Sequence, residues 1–318
     1  WLALELGGIG GYALPGVDAA VSILGPGAGC FRCLRSRVEA NAGDSAEETG
    51  SAGETESRRI TPRIERLAGA VAGHRLLEWI DGNASAGTVV ELPHRTRRLF
   101  PVPGCDCGSP IDREVSRDYE AVGLEATAER ADAVVDDRLG IVREVGEAHS
   151  FPAPYYLATL ADTGGFSDAE AGPHAAGVAT DWNAAYVKAV GEALERYAAG
   201  VYRASSFAEA PPETVENAVE PSAFVLPEEG FAAPDPDRPI RWVPGEDLAT
   251  GEAVHLPAEF VQFPPPERRH KPSITTGLGL GTSGVGALLS GLYEVIERDA
   301  TMLAWYSTFE PIGLDVDS

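Results

Sequence analysis

Lysine is nearly absent from this sequence: only Lys188 and Lys271 occur among the 318 residues, and the other basic side chains are arginine. Acidic residues number 49 against 25 basic ones, which gives a formal net charge of −24. This balance argues against general binding to the phosphate backbone of nucleic acid, which needs a basic surface. An acidic, lysine-poor, alanine-rich surface is typical of adaptation to high salt, where carboxylates keep a protein hydrated. An ordinary acidic cytosolic protein is the alternative interpretation.

Long apolar runs are also absent, and no stretch reads as a transmembrane helix or a signal peptide. The apolar start, WLALELGGIGGYALPG, is too short and too rich in glycine to span a bilayer. We therefore expect a cytoplasmic protein without a membrane partner. Its length suffices for two ordinary domains. Because the sequence starts at Trp1 without methionine, we expect it to be a piece of a longer protein.

Cysteine is scarce, and the four cysteines form two close pairs, Cys30-x-x-Cys33 and Cys105-x-Cys107. Two such pairs in turn-like settings are what a tetrahedral zinc site requires, since short loops offer two thiolates at a time. Its role would be structural, because four protein ligands leave no open position. Two disulfides, a redox pair or unrelated buried thiols are the alternatives, and disulfides are disfavoured without a secretion signal.

The order of patterns along the chain predicts two domains. Residues 42–59 form an acidic, low-complexity stretch that we expect to be a disordered insertion. Apolar residues at helical spacing predict a helix over 60–80, and GTVVELPHRTRRLFPVPGCDCG predicts two strands and a turn. We place a first domain at 1–115, a polar linker at 116–134 and a second domain at 135–318.

Two predicted helices in the second domain carry the same Glu-x-x-Glu-Arg motif, in GEALERYAAG and in YEVIERDATM. Positions three apart share a helix face, so each motif presents two carboxylates together. If the two helices face each other, four carboxylates converge, and divalent cations would be needed to relieve their repulsion. Magnesium with a polyphosphate suits such oxygen ligands, and arginines can bind phosphate oxygens. Solvated glutamates with arginine neighbours are the alternative. The motif residues are Glu192, Glu195, Arg196, Glu294, Glu297 and Arg298.

A glycine-rich loop leads into the second of these helices. Its Gly279-x-Gly281-x-x-Gly284 pattern formally matches a dinucleotide fingerprint, which is a weak signal by itself. The preceding KPSITTGL is a poor buried strand, so the Rossmann interpretation is disfavoured. We read the loop as a turn into the helix, whose backbone amides suit an anion such as phosphate.

The second domain resembles the YcaO family, ATP-using enzymes that activate peptide-bond oxygens. The resemblance extends over residues 135–307, through RLGIVREV, AAGVATDWNAAYVKAVGEALERYAAG, RWVPGEDLATGEAVHLPAEFV and ITTGLGLGTSGVGALLSGLYEVIERDA. The first domain, through GPGAGCFRCLRSRVEAN and PVPGCDCG, resembles the ThiF-like, zinc-bearing component of thiazole/oxazole peptide synthetases. That component often binds the leader of a precursor peptide and can be fused to YcaO, as in SagD-like proteins of bacteriocin biosynthesis.

The resemblance implies an α+β fold, in which a YcaO-like domain with helices on mixed sheets follows a smaller α/β zinc-bearing domain. It also implies that the C-terminal part of the YcaO domain lies beyond Ser318. Carried over by position, Glu192 and Glu294 would be magnesium ligands, Glu195 and Glu297 metal or nucleotide partners, and the two arginines phosphate contacts. No catalytic residue is assigned.

The activity that the resemblance implies is ATP- and magnesium-dependent cyclodehydration of a ribosomally made precursor peptide. A Cys, Ser or Thr side chain attacks the preceding amide carbon, the oxyanion takes a phosphoryl group, and phosphate leaves to give an azoline. Backbone thioamidation or amidine formation, and a non-catalytic peptide-binding scaffold, remain alternatives. The expected partner is the precursor peptide; further subunits such as a dehydrogenase, and a homodimer, stay open.

The sequence departs from the family pattern near the first motif. The family usually has Gly-Lys-Gly where this chain has Ala175-Ala176-Gly177. Lys188 stands where the family often has serine, and Thr276 where asparagine is common. Two interpretations of Lys188 remain open: it compensates by reaching phosphate, or it is a solvated helix lysine.

Overall fold

The computed structural model describes residues 1–42, 60–93, 95–108, 116–308, 310 and 313. The acidic insertion predicted at 42–59 therefore lies outside the described residues, apart from Ala42. The described chain is of the predicted α+β class. Strands in the same sheet pair antiparallel, and parallel contacts among the described residues occur at isolated bridges.

The strands and helices follow one another through the whole chain. The strands are β1 (Leu2–Leu6), β2 (Gly8–Ile9), β3 (Tyr12–Ala13), β4 (Ala19–Ile23), β5 (Thr88–Leu92), β6 (Arg95–Arg98), β7 (Val142–His149), β8 (Tyr155–Leu160), β9 (His174–Val178), β10 (Ala208–Ala210), β11 (Ile240–Glu246) and β12 (Ala253–Pro257). The helices are α1 (Phe31–Asn41), α2 (Pro62–Ile80), α3 (Leu124–Asp132), α4 (Trp182–Gly200), α5 (Ala258–Val261) and α6 (Gly284–Tyr306). Within the described residues, no helix is long and apolar enough to cross a membrane.

The chain divides into two compact units. Unit 1 comprises Trp1–Arg113 and Gly123–Ser273, and unit 2 comprises Glu114–Val122 and Ile274–Ser318. Apolar residues from both sides of the predicted linker, such as Leu34 and Val190, belong to one core in unit 1. A second, smaller cluster, of Ala19, Ala68 and Leu92, lies wholly within the first segment. The predicted domain division at 116–134 stays a prediction.

The first sheet of unit 1 has the strand order β1-β4-β5-β6. Its register places Val21 of β4 opposite Leu4 of β1 and Val90 of β5. Every residue of β4 is buried, because helix α2 packs on β1 and β4. The predicted helix over 60–80 is confirmed as α2: Thr61 caps it by accepting a hydrogen bond from the Ile64 N–H (3.4 Å), and Pro62 occupies the first turn, where its missing N–H costs nothing.

The second sheet of unit 1, β7-β8-β9, supports helix α4. The buried side of α4 carries small and apolar residues, including Ala189, Val190 and Ala193, and this face packs on β8 and β9. A third sheet, β10-β11-β12, follows it in the chain and buries Trp242. The sheet beneath α4 fixes the position of the first Glu-x-x-Glu-Arg motif.

A buried ion cluster joins the first sheet to the turn before β7. Arg97 of β6 is almost fully buried, and it contacts Glu91 (2.6 Å), Asp136 (2.7 Å) and Asp137 (2.6 Å). Arg138 also contacts Glu91 at 3.1 Å. A buried charge is tolerated only when partners replace its water, so these contacts depend on one another.

Replacing Arg97 with methionine keeps the bulk of the side chain but leaves Glu91 and Asp136 without their buried partner. We expect the free energy of unfolding to fall by about 3–5 kcal/mol. Arg95→Met is the matched control on the same strand: the Arg95 side chain is 54% exposed, so the loss should stay below about 1 kcal/mol. Urea unfolding of the two variants measures the difference, and equal losses would contradict the buried cluster.

Candidate functional site

The four cysteines come together at the start of helix α1. Cys30 is the N-cap residue of α1 and Cys33 lies in its first turn, while Cys105 and Cys107 lie in the loop after β6. Their sulfur atoms all lie within 4.8 Å of one another. The Sγ–Sγ distances include 3.9 Å between Cys30 and Cys33, 3.7 Å between Cys30 and Cys105, and 3.3 Å between Cys33 and Cys107.

The geometry of this cysteine cluster fits a tetrahedral metal ion. A zinc ion with Zn–S bonds of about 2.3 Å places its thiolates about 3.8 Å apart. All four cysteines are free rather than joined in disulfides. The Val102 N–H donates to the Cys33 sulfur at 3.3 Å, a contact that stabilises a thiolate. Burial raises the pKa of the Cys30 thiol, but hydrogen bonds from the Cys33 backbone and the neighbouring thiols outweigh this effect and lower the pKa to about 7.

Helix α4 of unit 1 carries the first Glu-x-x-Glu-Arg motif. Its N-cap, Asp181, accepts a hydrogen bond from the Ala184 N–H at 3.0 Å, which fixes the start of the helix. Arg196 donates to Glu192 Oε1 through Nε at 3.0 Å and Nη2 at 2.6 Å. Glu192, Glu195 and Arg196 are all partly buried, so the motif lies at the edge of the core and not on a fully solvated face.

Lys188 of α4 is exposed, and its Nζ donates to the Val178 carbonyl oxygen at 3.2 Å. Val178 is the last residue of β9, so this bond attaches α4 to the end of the strand beneath it. The structure thus gives Lys188 a local backbone partner. Whether it also reaches phosphate stays a prediction.

Helix α6 of unit 2 carries the second motif. Arg298 donates to Glu294 Oε1 at 2.9 Å, and the Gly277 N–H donates to Glu294 Oε2 at 3.0 Å. Glu294 is partly buried, whereas Glu297 and Arg298 are exposed. The glycine loop therefore leads into the helix, as predicted, and its backbone holds the carboxylate of Glu294. Its approach to phosphate stays a prediction.

The repeat between the two motifs extends further upstream than the carboxylates. In each unit a close-packed glycine, an N-cap residue, a glutamate and an arginine follow one another at the same spacing: Gly177, Asp181, Glu192 and Arg196 in unit 1, and Gly279, Ser283, Glu294 and Arg298 in unit 2. A methyl group at Gly177 would overlap the backbone of Ala185 and Ala189, and one at Gly279 that of Ala287 and Gly291. These glycines bring an extended segment against its helix.

Two residues that the sequence analysis did not single out connect the cysteine cluster to α4. Arg37 of α1 is buried and donates to the hydroxyl of Tyr197, which directly follows Arg196. Burial raises the pKa of Tyr197, while Arg37 opposes this shift. The one available signal was the position of Arg37, a helical turn after Cys33. Because FRCLRSRVEAN holds two other arginines, Arg32 and Arg35, that signal was not distinctive.

Residues 176–318 match the family model described as YcaO cyclodehydratase, ATP- and Mg²⁺-binding. This part of the chain is similar to YcaO domains. A curated relative, an uncharacterized protein of Methanothermobacter thermautotrophicus, is 35% identical over 123 residues, covering 37% of this chain and 31% of that protein.

Two solved structures resemble the fold of the chain over nearly its whole length. A heterocyclase in complex with substrate and cofactor has a TM-score of 0.61 at 18% identity, covering 91% of this chain and 48% of that one. The heterocyclase TruD has a TM-score of 0.56 at 19% identity, covering 96% and 46%. The chain thus spans about half the length of these structures and about a third of the curated relative.

The packing of Gly177 against α4 can be tested by adding one methyl group. We expect Gly177→Ala to lower the free energy of unfolding by about 1–3 kcal/mol or more, because the new methyl meets helix backbone that cannot move aside. Gly146→Ala, in β7 of the same sheet, is the control: its added methyl meets no atom within 4 Å, and stability should be unchanged or slightly higher. Chemical unfolding of both variants decides, and a neutral Gly177→Ala would refute the close packing.

Proposed function

We propose that the chain belongs to an ATP- and magnesium-dependent peptide cyclodehydratase that forms azoline rings in a ribosomally made precursor peptide. The observation that supports this most is the repeated element: two helices present a glutamate held by an arginine four residues later, each behind a close-packed glycine. A solvated surface glutamate needs no such framework. The family of the matched domain is described as ATP- and Mg²⁺-binding, which is the chemistry these carboxylates suit.

In this proposal Glu192 and Glu294 bind the magnesium that accompanies ATP, with Glu195 and Glu297 as metal or nucleotide partners. Bound ATP would supply the phosphoryl group that carries away the amide oxygen. Arg196 and Arg298 hold their glutamates in place. In the proposal, each also contacts phosphate oxygens. The Gly277 N–H fixes the second carboxylate oxygen of Glu294, so that this side chain is already oriented before a cation binds.

The peptide supplies the remaining atoms of the reaction. Its Cys, Ser or Thr side chain attacks the preceding amide carbon, the amide oxygen takes up the phosphoryl group, and phosphate leaves with that oxygen. Backbone thioamidation or amidine formation uses the same activation with a different nucleophile. We favour the azoline because both solved relatives in fold are described as heterocyclases.

We further propose that the cysteine cluster holds one structural zinc ion, and that residues 1–115 contribute the surface that binds the leader of the precursor peptide. The zinc proposal is supported by four free thiols at tetrahedral spacing. Four protein ligands would fill the coordination shell, so the metal would act on folding and not on chemistry. A dehydrogenase that oxidises the azoline would be a further partner.

Glu192→Gln and Glu294→Gln each keep the shape of the side chain and remove its charge. If both carboxylates bind magnesium, each variant of the full chain should stay folded and lose about a hundredfold or more of peptide-dependent ATP hydrolysis. Asp299→Asn is the control on α6, since Asp299 is exposed and outside the repeated motif; its rate should change less than about twofold. Near-normal hydrolysis in both glutamine variants would reject the assignment.

Protein purified without chelator should contain about one zinc ion per chain. Cys105→Ser should lower this content, because the shorter, weaker ligand leaves a three-thiolate site. Removing the metal should lower the unfolding temperature, since metal-binding energy is folding energy for the segments that carry the cysteines. Elemental analysis and thermal unfolding measure both effects. Absence of zinc, with four freely titrating thiols in the native protein, would disprove the site.

A further inference from the structure

Arg37 is the most deeply buried cation of helix α1, with an exposed fraction of 1%. Its Nε donates to the Phe100 carbonyl at 3.2 Å, and its Nη2 donates to the Pro101 carbonyl at 3.2 Å and to the Tyr197 hydroxyl at 3.0 Å. Its guanidinium also lies over the rings of Phe166 (5.4 Å) and Tyr197 (5.6 Å). Burying a charge costs desolvation free energy, which only well-placed partners offset. The contacts of Arg37 therefore identify the segments that it holds together.

One side of this contact set belongs to the cysteine cluster. Arg37 lies one helical turn after Cys33 on α1. The two carbonyls it binds precede Val102, whose N–H donates to the Cys33 sulfur, and the same loop continues to Cys105. Arg37 therefore fastens the helix with the first two cysteines to the loop with the other two.

The other side belongs to the carboxylate motif. Tyr197 directly follows Arg196, the residue that binds Glu192, on the same turn of α4. A guanidinium is planar, and its donors have fixed directions. A shift of α1 or of the 100–107 loop would therefore move the guanidinium and disturb its hydrogen bond to the Tyr197 hydroxyl. Unlike a flexible lysine, this side chain cannot keep three acceptors while they move apart.

We propose that Arg37 is a positioning residue through which the metal state of the cysteine cluster sets the order of α4 and the geometry of its Glu192–Arg196 pair. Metal at the cluster fixes α1 and the loop, Arg37 transfers that restraint to Tyr197, and Tyr197 holds the end of α4. This inference rests on the proposed zinc and nucleotide sites, but its primary test does not use nucleotide.

The primary test is hydrogen exchange of the α4 amides with and without zinc. In the wild-type chain, chelation should speed exchange at residues 193–200 about tenfold or more. Tyr197→Phe keeps the ring and removes the hydroxyl that Arg37 binds; its α4 exchange should change less than about twofold on chelation. Tyr186→Phe is the matched control, because the Tyr186 hydroxyl lies on the same helix and bonds Asp132 instead. It should respond to chelation as the wild type does.

Equal zinc responses in the wild type and Tyr197→Phe, or no response of α4 in the wild type, would overturn the coupling. A chain that takes up no zinc would overturn it as well. These outcomes stand whether or not ATP binds, so failure of the nucleotide site and failure of the coupling are distinguishable.

A second measurement asks whether the coupling reaches the carboxylates. Zinc-loaded Arg37→Lys and Tyr197→Phe should bind a non-hydrolysable ATP analogue with magnesium at least fivefold more weakly than the wild type, by calorimetry. Arg35→Met, an exposed arginine on α1, should bind normally. Lysine retains the charge but lacks the separate, fixed donors that Arg37 uses through Nε and Nη2. Normal binding by Arg37→Lys would therefore contradict the positioning role. If the wild type binds no analogue, the proposed nucleotide site is wrong, and the exchange test alone decides the coupling.

Discussion

The contact between Arg37 and Tyr197 joins the parts of unit 1 that hold the cysteine cluster and the first Glu-x-x-Glu-Arg motif. Helix α1 bears two of the four cysteines, and α4 bears the first carboxylate motif; each packs on different strands. The guanidinium satisfies two loop carbonyls and one tyrosine hydroxyl, and it stacks on aromatic rings that exclude water. Because a buried cation cannot lose one partner cheaply, these segments are held to a single arrangement. The Arg97 cluster likewise holds β5 and β6 of the first sheet to the turn before β7.

Helices α4 and α6 repeat the same local arrangement of glycine, helix cap, glutamate and arginine. In each, a glycine allows backbone-to-backbone contact, a side-chain cap fixes the helix start, and an arginine one turn later holds the glutamate. Capping and close packing fix the position of the helix along its axis. They therefore also fix where the glutamate carboxylate lies relative to the glycine segment. The glycines of the loop before α6 are thus explained by helix packing without a dinucleotide.

Many of the helices and much of the candidate site could be predicted from the sequence, because they follow from local patterns. Periodicity predicted α2, α4 and α6; the spacing of the cysteines predicted their cluster; and the duplicated Glu-x-x-Glu-Arg signature predicted the motif helices. The role of Arg37 could not be predicted, because a buried arginine and a surface arginine look alike in a helix as charged as FRCLRSRVEAN. The core shared by residues on both sides of the predicted linker could not be predicted for a related reason: composition marks a polar stretch but does not show which apolar residues meet in space.

In the proposed function, the carboxylate motifs serve ATP-dependent activation of peptide amides. The mass of a candidate precursor peptide, rich in Cys, Ser and Thr, tests this after incubation with the full chain, magnesium and ATP. We expect the loss of one water per modified residue, only with ATP present. An unchanged peptide mass with no ATP consumed would contradict it and favour a peptide-binding scaffold, whereas exchange of oxygen for sulfur would contradict azoline formation and favour thioamidation.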